Sequence, residues 1–236
     1  MRRTAGADRV AGRLLYRPLQ DVDGPLPESR FFFNDRYKMG KQGAMTGKIA
    51  FDYDQALGRA TALFWRKGYV GTGLRDLLKE MGIGEGSFYN TLKSKKQLFL
   101  LCLDRYDEMV TAGRMEAMAR APSAGAGVRA FFAHMFDCLD DPAVPSRLCM
   151  IAATVTEDVL DDADLRQRAT QGIKDLEAHF AACLARDAQP DPAAGPDVLA
   201  AILTAYVQGL WRMALVDYDR CRFETQTEAL LAGLGL

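Results

Sequence analysis

Apolar residues along most of this chain recur every three or four positions, the spacing of helices with one buried face. From Phe51 onward no alternation of apolar and polar residues persists long enough to make a strand, so an all-α fold is expected. A first helix over about 54–67 takes Asp52 as N-cap, turns Ala56, Ala60, Leu63 and Phe64 to one side, and stops at Gly68. A short second helix, about 73–81, takes Thr72 as N-cap and points Leu74, Leu77, Leu78 and Met81 inward. Gly82-Ile83-Gly84 makes a tight turn into a third helix, about 85–91, which buries Phe88. Ser94 caps a long fourth helix, about 95–120, with a stripe of Leu98, Leu101, Cys102, Arg105 and Met109. A break from Pro122 to Gly127 precedes helices at about 127–140, 145–158 and 162–187, the first two separated by Pro142 and Pro145. A loop over 189–196 leads to two final helices, about 197–217 and 222–234. The first of these is apolar on more than one face. That suits an internal core helix, or one packing its own core on one side and a second subunit on the other.

The first 44 residues do not follow the pattern. They are rich in Gly, Pro and Arg, and their one apolar cluster is Phe31-Phe32-Phe33. A disordered arm over 1–47 is expected, with a second reading in which it is a non-native extension and the native chain starts near Met45. The remainder is expected to divide into two helical domains, 48–97 and 98–236. Composition is that of a soluble globular protein, 49% hydrophobic and 26% charged. No run of about 18 uninterrupted apolar residues is present, so no membrane span is expected. Met1-Arg2-Arg3 has no apolar segment behind it, unlike a secretory signal. Five scattered cysteines without a CxxC pair suggest reduced thiols in a cytoplasm. His134 and His179 lie in no metal-binding spacing, and no nucleophile–base pair stands out; no catalytic residue, metal or cofactor is assigned.

Charge is uneven. Residues 45–100 carry nine Lys/Arg against five Asp/Glu, whereas residues 101–236 carry twelve against twenty-one. A basic segment joined to a larger acidic one suits a protein that touches phosphate at one end. Two short helices joined by a glycine turn, with a helix before them, form a tri-helical helix-turn-helix, whose third helix can project into the major groove. Its outer face would be Glu85, Gly86, Ser87, Tyr89, Asn90 and Thr91. Asn90 has the amide that pairs with adenine N6/N7, Tyr89 and Thr91 have hydroxyls for phosphate, and Lys95 has the charge to neutralise it. A plain solvated helical hairpin has the same composition.

The order and spacing of Phe64-Trp65-Arg66-Lys67-Gly68-Tyr69, Thr72, Leu77-Leu78-Lys79-Glu80-Met81-Gly82-Ile83, Gly86-Ser87-Phe88-Tyr89-Asn90, Ser94-Lys95 and Leu98-Phe99 resemble the DNA-binding region of TetR/AcrR-type regulators. The resemblance covers about 50–106. It implies a repressor that binds double-stranded operator DNA as a homodimer and is released by a small-molecule inducer. It also implies DNA contacts at Lys48 in the arm, at Thr72 and Arg75 on the second helix, and at Ser87, Tyr89, Asn90 and Lys95. Helices four to seven would enclose the ligand, and the last two would pair with a second subunit. Gly84 departs from the family's usual Ser or Thr cap, Glu85 from a basic or small residue, and Leu92 from a Phe; these affect the operator sequence rather than the fold.

Arg105, Tyr106, Met109, Phe131, Phe132, Met135, Met150, Thr154, Gln208 and Trp211 are candidates to line the ligand cavity, each also a plausible core residue. Arg105 and Arg212 hint at an anionic inducer. Gly82-x-Gly84-x-Gly86 lacks the strand and spacing of a dinucleotide loop. Asp161-Asp162-x-Asp164 suits a helix start better than a metal site. Cys102, beside the DNA-binding head, is either a thiol sensor or a buried structural cysteine. A helical enzyme and a dimer that has lost DNA binding are the competing classes; the intact Ser87-Tyr89-Asn90 face with Lys95 argues against the second.

Overall fold

A computed structural model describes residues 51–187 and 195–236, so the expectations for the N-terminal arm, Lys48 included, lie outside the described residues. The described residues are helical, without a strand. The first helix, α1 (Tyr53–Lys67), begins where the Asp52 carboxylate accepts the Gln55 N–H at 3.0 Å. It ends at Gly68, whose N–H still reaches the Phe64 carbonyl and whose φ of 73° then turns the chain out of the helix. Helix α2 (Leu74–Met81) is closed by Gly82 in the left-handed conformation, and α3 (Glu85–Leu92) follows after Ile83 and Gly84. Helix α4 (Lys95–Tyr106) starts at Ser94, whose hydroxyl accepts the Gln97 N–H. It runs through a π-helical turn, Asp107–Thr111, into α5 (Ala112–Arg120), so the long fourth helix forms over the expected span with an extra residue looped into its middle.

Helix α6 (Ala124–Asp140) packs along α5 and begins at the Ser123 cap. The break is therefore shorter than the glycines suggested. Gly127 lies inside the helix because it is needed there: a Cβ at that position would stand 2.7 Å from Cys183 Sγ and 2.9 Å from the Met118 carbonyl oxygen. The single helix expected over 145–158 is instead two short pieces, α7 (Met150–Ala153) and α8 (Glu157–Leu160). Local hydrogen bonds take the chain out of helix on both sides. The Asp141 carboxylate accepts the Ala143 N–H, Ser146 accepts the Leu148 N–H, and the Thr154 hydroxyl donates to the Ile151 carbonyl just before the branched pair Val155-Thr156.

Helix α9 (Ala163–Leu184) is capped by Asp162, which accepts the N–H groups of Asp164 and Leu165, as carboxylates at a helix start should. Helices α10 (Pro196–Val216) and α11 (Arg220–Gly233) complete the chain. Helix α10 is long and apolar enough to cross a membrane by length and composition. Its inner face, Ala200, Leu203, Val207, Leu210, Trp211 and Ala214, is buried against the rest of the fold. Along its outer side Val198, Ala201, Ile202, Ala205, Gly209, Met213 and Val216 are exposed.

Candidate nucleic-acid interface

The α1–α3 unit is held by apolar side chains with almost no exposure: Ala60, Leu63 and Phe64 from α1, Leu77 and Met81 from α2, Ile83 from the turn, and Phe88 and Leu92 from α3. Phe64 stacks edge-on against Phe99 of α4 at 4.9 Å, which fixes the unit to the next helix. Burying Phe88 and Leu92 leaves the opposite side of α3 outward. Glu85, Gly86, Tyr89 and Asn90 are exposed there, and Ser87 and Thr91 are half-buried. The helix ends at Lys93, whose φ of 64° is left-handed and whose ammonium donates to the Asn90 carbonyl at 2.7 Å. That bond uses the Asn90 backbone and leaves its amide side chain outward.

Arg75 is exposed at the start of α2. Lys95 opens α4 with its ammonium 4.4 Å from the centre of the Tyr69 ring, and partial burial pushes its pKa down. Thr72 is a correction. Gly73, not Thr72, is the N-cap of α2, and the Thr72 side chain is wholly buried, its hydroxyl donating to the Gly68 carbonyl at 2.6 Å. Its oxygen ties the end of α1 to the start of α2. Lys96 was not singled out by the sequence. Its ammonium pairs with Asp162 at 3.1 Å and Asp164 at 2.6 Å, joining the start of α4 to the start of α9; those two partners raise its pKa. The acidic cluster therefore serves as helix cap and ion-pair partner.

A model of the tetR family of bacterial regulatory proteins matches residues 56–102, the stretch running from α1 into α4. The HTH-type transcriptional regulator YezE of Bacillus subtilis is 30% identical over 188 residues, covering 78% of this chain and 96% of its own. The chain belongs to the TetR family. Another relative, the HTH-type transcriptional repressor ComR of Escherichia coli, is 29% identical over 164 residues, 68% of this chain and 78% of ComR. Among solved structures, a cysteine-substituted form of the TetR-family regulator CifR, complexed with 26-bp double-strand operator DNA, matches with a TM-score of 0.71 at 27% identity. That match covers 78% of this chain and 97% of CifR. The TetR-family relatives are transcriptional regulators.

The candidates for a ligand site lie on or beside α4, the π-helical turn, α6, α7 and α10. Arg105 leans toward α1, pairing with Asp54 at 3.5 Å. Arg212 donates to the carbonyls of Ala152 and Val155 and closes the end of α7. The Thr154 hydroxyl is committed to Ile151. Phe132 belongs to an aromatic row with Phe131, Phe136 and Tyr206. Met135 and Met150 are buried, while Met109 and Gln208 are half-buried. Tyr106 and Trp211 do converge, and they do so on Arg114, a residue not picked out in the sequence. The only sequence signal for it was an arginine on the α6-facing side of an otherwise apolar stretch. Cys102 is fully buried, and desolvation pushes its thiol up to about 12, so it carries no thiolate near neutral pH.

Proposed function

We propose that this TetR-family regulator is a ligand-responsive repressor that binds operator DNA as a homodimer and is released by a small molecule. The carrying observation is the exposed polar face of α3, held outward by the buried Phe88 and Leu92. A TetR-family neighbour, CifR, is complexed with operator DNA, and ComR is a repressor; both support carrying the role to this chain. In this reading residues 48–97 form the DNA-binding domain and residues 98–236 the ligand-binding and dimerisation domain. Gly86 lets the α3 backbone approach the groove. Asn90 reads a base edge, and Ser87, Tyr89 and Thr91 hydrogen-bond the duplex. Arg75, Lys95 and Lys48 neutralise phosphate. The exposed apolar side of α10, lined by Val198, Ile202, Met213 and Val216 with the small Ala205 and Gly209 between them, packs against its copy in a second subunit. The working compartment is the cytoplasm.

The test is fluorescence anisotropy of the protein on labelled DNA from upstream of its own gene, against a scrambled duplex, at several salt concentrations. The expected result is selective binding that weakens steeply as salt rises. Asn90→Ala should lose about 1–3 kcal/mol of discrimination between the two duplexes. Replacing Arg75 by Gln should weaken binding to both duplexes alike and flatten the salt dependence. Equal affinity for the two duplexes in the parent protein would remove the operator-binding reading.

A further inference from the structure

Arg114 projects from α5 into the interior of the α5–α10 bundle and is 3% exposed. One amino group donates to the Tyr106 hydroxyl at 3.3 Å, and the guanidinium lies over the Trp211 ring, 4.9 Å from its centre. Its Nε is buried without a hydrogen-bond partner. Among the described residues the ion pairs use other cations, and no carboxylate of those residues pairs with Arg114. The polar groups around it are neutral. Burial holds the Tyr106 hydroxyl and the Cys138 thiol in their protonated forms. Burial and the arginine's own charge hold His134 below its usual pKa, as an uncharged imidazole. A second orphan lies close by. His134 Nδ1 is buried and unpartnered, and its ring abuts Gly113, the residue before Arg114, where a Cβ would stand 3.0 Å from Nε2.

A buried guanidinium with no counter-charge and an idle N–H is a costly arrangement for a folded core, and a ligand carrying the missing negative charge relieves it. The rest of the surroundings is apolar. The Trp211 ring lies against the guanidinium, and Met135 and Met150 belong to the same buried core. Methionines are the side chains most able to move aside for an incoming molecule. We propose that Arg114 binds the carboxylate of a small organic acid with an apolar body. This rests on the ligand-responsive reading above and assigns the chemical class of its effector.

The same residues give that event a route to the DNA-binding helices. The Tyr106 ring, whose hydroxyl is bonded to Arg114, meets Trp65 of α1 edge-on at 4.9 Å. The Trp65 indole N–H in turn donates to the Leu148 carbonyl at 2.7 Å, one residue before Cys149. The π-helical turn lies between Tyr106 and Arg114. A carboxylate that draws the guanidinium from the Tyr106 hydroxyl acts on the residue that braces α1.

The experiment is thermal unfolding and calorimetric titration of the full chain with straight-chain carboxylates from acetate to decanoate, with benzoate and with phenylacetate, each against its neutral amide. At least one acid should raise Tm by about 5–10 °C at a hundredfold excess over its Kd, with its amide inert. Arg114→Met should abolish that rise while unfolding at or above the parent's Tm, because it deletes an uncompensated charge. Arg114→Lys, which keeps the charge and loses the planar fork, should bind the same acid at least about tenfold more weakly. The proposal is overturned if no acid outperforms its amide, if the rise survives in Arg114→Met, or if Arg114→Met melts several degrees below the parent, as loss of a structural pairing would produce. Anisotropy on operator DNA run in parallel separates the two readings. DNA binding with no acid response removes the Arg114 site alone. Arg114-dependent acid binding that leaves the DNA bound removes the ligand-responsive reading and keeps the site.

Discussion

A hydroxyl at the start of a helix suggests a cap or a phosphate contact, and Thr72 has the sequence position of both. Its oxygen instead bonds the Gly68 carbonyl within a fully buried turn. Which carbonyl lies nearest depends on the angle between α1 and α2, which the local sequence does not encode. The cysteines follow the same logic. Cys102, Cys138, Cys149 and Cys183 are buried and Cys221 is exposed. Alkylation of the native protein at neutral pH, followed by peptide mass analysis, should therefore modify Cys221 and leave Cys102 untouched until denaturant is added. Cys102→Ser should respond to oxidants as the parent does; a lost response would restore the sensor role. Arg114 was missed for the converse reason. An arginine in a helix is usually solvated or paired, and its isolation became visible only once α6 and α10 closed over it.

At the scale of elements, periodicity and caps were enough where side chains act on their own helix. Asp52, Ser94 and Asp162 cap as their types dictate, Gly68 ends α1 at a positive φ, and Gly82 ends α2 in left-handed geometry. Legibility failed where a distant partner decides. The glycines at the start of α6 looked like a helix breaker, yet Gly127 is the point where α6 meets Cys183 of α9 and the end of α5. Gly127→Ala should thus destabilise the fold by about 1–3 kcal/mol by overpacking, despite alanine's higher helix propensity, as measured by the urea midpoint. A stabilised variant would mean the contact relaxes freely. The π-helical turn left no mark in the sequence pattern. Its Asp107 is held, with Asp104, by Arg168 of α9, a long-range contact that no local window contains.

For the whole molecule, the exposed face of α3 was legible because that helix is fixed by its own neighbours, whereas the cluster around Arg114 was not, because it is assembled from α4, α5, α6 and α10 together. The outer stripe of α10 belongs to this scale as well. Two heads must be held about one helical turn of DNA apart to read a symmetric operator. Ile202→Glu, which puts a charge into the middle of that stripe without touching the core, should convert the protein to monomers in sedimentation velocity. It should cost operator affinity far more than affinity for scrambled DNA. An unchanged dimer would place the subunit contact elsewhere.

The chain has two tryptophans, and they stand at opposite ends of the path through Tyr106 and Arg114: Trp65 on α1 and Trp211 beneath the guanidinium. The protein therefore carries its own optical reporters of the coupling. A cation against the face of one indole and a carbonyl on the N–H of the other give the two chromophores different electrostatic surroundings. Trp65→Phe and Trp211→Phe each leave a single emitter, so the arrival of a ligand at one end and the release of the other can be timed separately, without an attached dye, in one stopped-flow experiment.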